Sequence, residues 1–184
     1  MVLVDCSTER ASEFFSLPDP NIAGVLGNLN FARVTGLRSS TVLSDEEWRV
    51  RAKEIYASSE TGAAEARSFR DVCEWLKWKR QVEMKFLGDK PLFVIRANTA
   101  GDYEKIYKAG IEAGNGSAEQ RKAFRELLDQ WDRVDEMFQK EQLRLSSNTR
   151  YVHLPDCGHN VHLIRPDAIV ECVRWVWERV LSSG

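Results

Sequence analysis

All three histidines of the chain, His153, His159 and His162, fall in one short stretch, with Cys157 among them. An imidazole titrates near neutral pH, so it can take a proton from a nucleophile and hand it on to a leaving group. Imidazole and thiolate also suit zinc, which gives the cluster a metal reading as well. Little supports that reading: His153 lies in a strand-like stretch, and the sequence has no CxxC pair and no HxxxH helix. Cys157 would serve as a nucleophile beside His159 only with a lowered thiol pKa. Residues two apart on an extended turn also point in different directions. Of the three, His159 is the one that directly follows a turn beyond a strand's end.

A base needs an element to aim it. Residues 151–154 are β-branched, aromatic or apolar and read as a short buried strand. Pro155-Asp156-Cys157-Gly158 is a turn cluster, and His159 follows it beyond the strand's carboxyl end. A helix is expected to begin near Pro166-Asp167, because proline suits a first helical turn and an acid there faces the positive end of the macrodipole. Ile169, Val173, Val176 or Trp177, and Val180 recur at helical spacing, which predicts one inward face. The unit is strand, turn, histidine, helix, and it puts an imidazole in the crevice where open α/β sheets carry their chemistry.

The run C-G-H-N-V-H-L-I-R-P-D-A-I-V resembles the catalytic-histidine segment of the α/β-hydrolase fold, with Gly158, His159, Pro166 and Asp167 as the matching residues. The resemblance implies an α/β class with an incomplete α/β-hydrolase core: about three parallel strands, flanking helices and a helical cap. Val2-Leu3-Val4-Asp5 is similar to the sixth of the family's eight strands. In the family a helical insert follows that strand, so residues 6–90 occupy the place of the cap, with residues 1–5 and 91–184 as core. Within 6–90 the periodicity is helical, with a capping box at Ser44 to Glu47 and a break expected at Ser58-Ser59-Glu60-Thr61-Gly62. Residues 91–95 form the next expected strand. A second capping box, Ser117 to Gln120, opens a long amphipathic helix through Phe124, Leu128, Trp131, Val134 and Phe138.

Hydrolases of this fold use a serine, an acid and a histidine in that chain order. The resemblance makes Asp102 the first choice for the acid, since it follows the strand ending near Ile95. Its loop is about two residues longer than the usual G-x-x-D arrangement. Asp5 is the alternative, after the first strand here. No G-x-S-x-G occurs: the nearest candidates, Ser59 and Ser117, have the wrong neighbours. The resemblance therefore covers the family's C-terminal part. It implies the general-base half of a serine-type hydrolase of small ester-like substrates, inactive alone, with its nucleophile encoded elsewhere. An interaction protein derived from a hydrolase is the rival reading.

Composition bounds the rest. With 184 residues and 43% hydrophobic content the chain is long enough for one domain with a sizeable core. A net charge of -2 gives no support for nucleic acid or an anionic membrane as partner, and no apolar run reaches the length of a membrane span. Four cysteines without disulfide-like spacing, and no signal peptide at MVLVDCSTE, suit a cytoplasmic chain with reduced thiols. No cofactor motif is present. A first strand without a partner on one side predicts self-association through an exposed sheet edge, and a small molecule is the expected substrate once the site is complete.

Overall fold

The computed structural model describes residues 1–182. Three strands, β1 (Val2–Val4), β2 (Leu92–Ala97) and β3 (Thr149–Leu154), form a parallel sheet in the order β1-β2-β3. Register runs Val4 opposite Ile95 and Ile95 opposite Val152. The fold is an incomplete α/β core with flanking helices and a helical cap.

Between β1 and β2 lie a 3-10 turn (Ala11–Glu13) and helices α1 (Pro20–Leu26), α2 (Phe31–Val34), α3 (Leu37–Ser40), α4 (Asp45–Ala57) and α5 (Ser59–Trp78). Helices α6 (Thr99–Glu112) and α7 (Ala118–Glu141) link β2 to β3, and α8 (Val161–Ile164) and α9 (Pro166–Ser182) follow β3. Both capping boxes form: Ser44 with Glu47 opens α4, and Ser117 with Gln120 opens α7. The break expected around residues 58–62 narrows to Ser58 alone. Helix α5 runs on through Gly62, whose exposed position costs only about 1 kcal/mol against alanine.

Strand β2 is buried along its whole length, since both faces are covered. Successive side chains point to opposite faces. Phe93, Ile95 and Ala97 pack with Leu154, Cys157, Val161, Ala168 and Cys172, which is the layer of α8 and α9. On the other face Arg96 reaches α7, donating from Nε to Asp135 at 2.7 Å and from a terminal nitrogen to Asp132. Arg96 keeps its place in the ladder opposite His153, with Ala97 opposite Leu154, so β2 extends past its expected end at Ile95. The Arg96 guanidinium is neutralised twice, so the strand carries it without an unpaired buried charge.

A second cluster lies among the helices. Val25, Ile106, Phe124, Leu128 and Trp131 are buried together, with Ile22, Phe31, Tyr103 and Leu127 against them. Helices α6 and α7 share this cluster with α1 and α2. Gly110 allows the closest approach, since a Cβ there would overlap the Val25 carbonyl on α1.

Helix α9 packs differently from the expected inward face. Ala168 and Cys172 are buried, with Ile169, Trp175 and Val176 beside them, whereas Val173, Trp177 and Val180 face out. The helix carries apolar residues on two sides. On the inward side Trp175 meets the Phe93 ring edge to face, with centroids 5.6 Å apart.

Candidate active site

The carboxyl ends of the strands meet at Asp5, Asn98 and the turn after Leu154. Asp5 continues β1 by one residue: its N–H donates to the Ile95 carbonyl at 2.8 Å, and its Oδ1 accepts from the Ala97 N–H at 3.0 Å. Its backbone has φ 48°, a left-handed conformation that a residue with a side chain seldom adopts. Thr99 donates its hydroxyl to Asp5 Oδ2 at 2.6 Å. Asn98 ties the neighbouring loops together: its N–H donates to the Cys157 carbonyl at 2.7 Å and its side-chain amide to Pro155 at 2.8 Å. Its Oδ1 caps α6 by accepting from Gly101 N–H.

His159 stands on the turn that Asn98 holds. Its Nδ1 lies 2.8 Å from Asp5 Oδ2. Burial alone would raise the Asp5 carboxyl, but hydrogen bonds from His159, Thr99 and Ala97 together outweigh it and hold the group below the ordinary carboxylate range. The same bond to Asp5 is the main reason His159 lies above the ordinary imidazole value, against an opposing effect of burial. An ionised carboxylate can only accept, so the proton between the two rests on Nδ1. That leaves the Nε2 lone pair as the basic site, and Nε2 has no hydrogen-bond partner among the described residues. The imidazole side chain is 57% exposed, against 3% for Asp5.

Of the two acids expected near His159, the structure brings Asp5 to the ring and Asp102 to the backbone. Asp102 sits in the first turn of α6 and accepts the His159 main-chain N–H at 3.2 Å. Burial raises its carboxyl above the ordinary range. Gly158 explains the contact: a Cβ there would overlap the Asp102 carboxylate, so only glycine lets the turn pass. Cys157 is buried and its thiol is pushed up to about 11 by desolvation, which leaves it protonated at neutral pH. His162 is lowered by burial and is no part of the pair. Among the described residues no group of three His, Cys, Asp or Glu side chains is arranged to hold a metal, and no Ser, Thr or Cys side chain is hydrogen-bonded to His159.

Two residues that sequence reasoning missed support Asp5 from behind. Gln139 of α7 and Gln142, in the 3-10 turn after it (Gln142–Leu145), both donate their side-chain amides to the Cys6 carbonyl, at 3.0 and 2.9 Å. Nothing local flags them, because they lie more than 130 positions from Cys6 in the chain. A cavity of about 550 Å³ opens over Asp5 and His159, under α5 and beside α7.

With this geometry in view, known proteins add the following. The chain is 31% identical over 181 residues to a protein of Hormonema carpetanum named as a probable transporter, efuK. The match takes in 97% of this chain and 25% of that protein. It is 26% identical over 183 residues to a protein of Gibberella zeae named as an AB hydrolase superfamily protein, covering 95% of this chain and 55% of the relative. The chain thus spans between a quarter and about half the length of these curated relatives. No family model matches it, and no solved structure matches it. The likeness to the Gibberella zeae protein supports the α/β-hydrolase superfamily. Among the described residues no helix is long and apolar enough to cross a membrane.

Proposed function

We propose that this chain supplies the acid and the general base of a serine-type hydrolase acting on small ester-like substrates, with Asp5 as the acid and His159 as the base. The observation that carries this is the 2.8 Å bond from Asp5 Oδ2 to His159 Nδ1 beside an open cavity. Asp5 fixes the tautomer and orientation of the ring and stabilises the imidazolium that forms when Nε2 takes a proton. Asp102, placed on the His159 backbone, positions the turn.

The hydroxyl nucleophile belongs to a polypeptide segment beyond these residues. The shares of 25% and 55% of the two relatives' lengths leave room for one. Attack of that hydroxyl on an ester carbonyl, with the proton passing to Nε2, would expel the alcohol after Nε2 returns the proton to it. Water then hydrolyses the acyl-enzyme by the same route. A fluorophosphonate probe tests the division of labour. No labelling is expected on the 184-residue chain alone. Stoichiometric labelling is expected on a longer product that carries a G-x-S-x-G segment, and Asp5→Asn should cost that product about 10⁴-fold in kcat. Labelling of the isolated chain would place the nucleophile within it and overturn the proposal.

The rival reading, an interaction protein derived from a hydrolase, draws on the exposed apolar face of α9. It expects no turnover in the longer product either, so the same assay separates the two.

A further inference from the structure

We propose that the cavity over Asp5 and His159 takes a neutral substrate whose apolar part is a flat, unsaturated ring system. This deepens the hydrolase reading and rests on it for where the ester group would lie, but not for the binding itself. The volume, about 550 Å³, suits a small molecule of drug-like size.

The walls choose the shape. Phe15, Phe31, Phe69, Tyr103, Trp131 and Phe138 all line the cavity. Most of them form one aromatic assembly: Tyr103 stacks on Trp131 with centroids 4.5 Å apart, Phe15 lies 4.7 Å from Trp131, and Phe31 meets the edge of Tyr103. Aromatic faces and edges already fixed in place offer a planar π-system offset-stacked and edge-on contacts. A flexible alkyl chain gains only area there, and loses rotamer freedom to reach it.

The charges choose the ionic state. The ionisable groups lining the cavity are Asp5, Glu65, Asp135, Tyr103 and His159, with Cys6 as a thiol, and no lysine or arginine is among them. Two guanidiniums lie behind the wall and both are already paired: Arg96 with Asp132 and Asp135 from the sheet side, and Arg10, over the Phe138 ring, with Glu13 and Glu141. The His159 cation would be matched by Asp5. A carboxylate or phosphate entering the cavity would shed water and meet carboxylates with no cation to replace it, so an ionised substrate is turned away.

Calorimetric titration of the 184-residue chain with methyl 2-naphthoate, 2-naphthoate and methyl decanoate tests this, with the Trp131 indole N–H followed by NMR. Methyl 2-naphthoate is expected to bind one to one and shift the Trp131 signal. The naphthoate anion should bind about tenfold more weakly, and methyl decanoate about threefold more weakly. Trp131→Leu should weaken the aryl ester about tenfold. Because Trp131 also belongs to a buried cluster, Phe69→Leu on α5 provides a variant outside both clusters and should weaken it about threefold. Equal or tighter binding of the anion or of the alkyl ester overturns the proposal. So does an unmoved Trp131 signal, or an unchanged affinity in the Phe69→Leu protein. Titration of His159 and fluorophosphonate labelling are independent readouts, so failure here leaves the acid–base pair standing, and the reverse.

Discussion

Asp5 is held in a backbone conformation that costs on the order of 1–3 kcal/mol for a residue with a side chain. It is kept there by the bonds it accepts from Ala97, Thr99 and His159. Its carboxyl is depressed and His159 is raised, so the pair stabilises the fold most where Asp5 is ionised and His159 protonated. The Asp5 contribution is present above the ordinary carboxylate value and is lost as pH falls through its lowered value. The His159 contribution is complete below the ordinary imidazole value and is lost as pH rises through its raised one. In Asp5→Asn the His159 pKa should fall, as read from its ring-proton NMR titration, and both limbs of the pH–stability curve should flatten in urea melts. An unmoved His159 would show that another group sets its pKa. At the next turn, Gly158→Ala pushes a methyl into the Asp102 carboxylate. The expected loss is about 1–3 kcal/mol, with faster amide exchange at His159 as the bond to Asp102 opens.

At the scale of elements, α7 does two jobs. Its apolar stripe, with Phe124, Leu128 and Trp131, builds the helical core, while Asp132, Asp135 and Gln139 reach the sheet and the loop after Asp5. The shared Cys6 carbonyl makes the two glutamines partly redundant. Gln139→Leu or Gln142→Leu alone should cost about 0.5–1.5 kcal/mol. The double variant leaves a carbonyl without either donor and should cost more than the sum of the two, with His159 shifting back towards the ordinary imidazole value. A double-mutant cycle in denaturant, with the His159 titration alongside, measures both. Strict additivity would mean the glutamines do not act through Cys6. Phe124→Ala, in the buried cluster of α7 with α1 and α6, should cost about 3–5 kcal/mol and lower the urea midpoint accordingly.

Across the whole molecule, large apolar side chains collect where nothing covers them. Helix α9 shows Val170, Val173, Trp177, Val180 and Leu181 to solvent, with Trp177 62% exposed. Beside Met1 and Leu3, at the outer edge of β1, an apolar hollow of about 290 Å³ lies open. An apolar helix face and an unpaired strand edge on one molecule favour association. Sedimentation velocity on the isolated chain should therefore show mass rising with concentration, and Trp177→Glu with Val173→Lys should return it towards the monomer. A monomer at all concentrations would mean that these surfaces are benign.

Much of the scaffold was legible in residue order. The three strands, the two capping boxes and the unit of strand, turn, His159 and helix depend on contacts within a few positions, and periodicity or turn chemistry reports those directly. That Asp5 rather than Asp102 lies against the His159 ring was not legible, because Asp5 is 154 positions from His159 and reaches it only through the pairing of β1 with β2. The same holds for the inward side of α9 and for the two glutamines behind Cys6. Local pattern records which residues are apolar or polar. Which of them meet is decided by how layers far apart in the chain are stacked, and that stacking is a property of the folded whole.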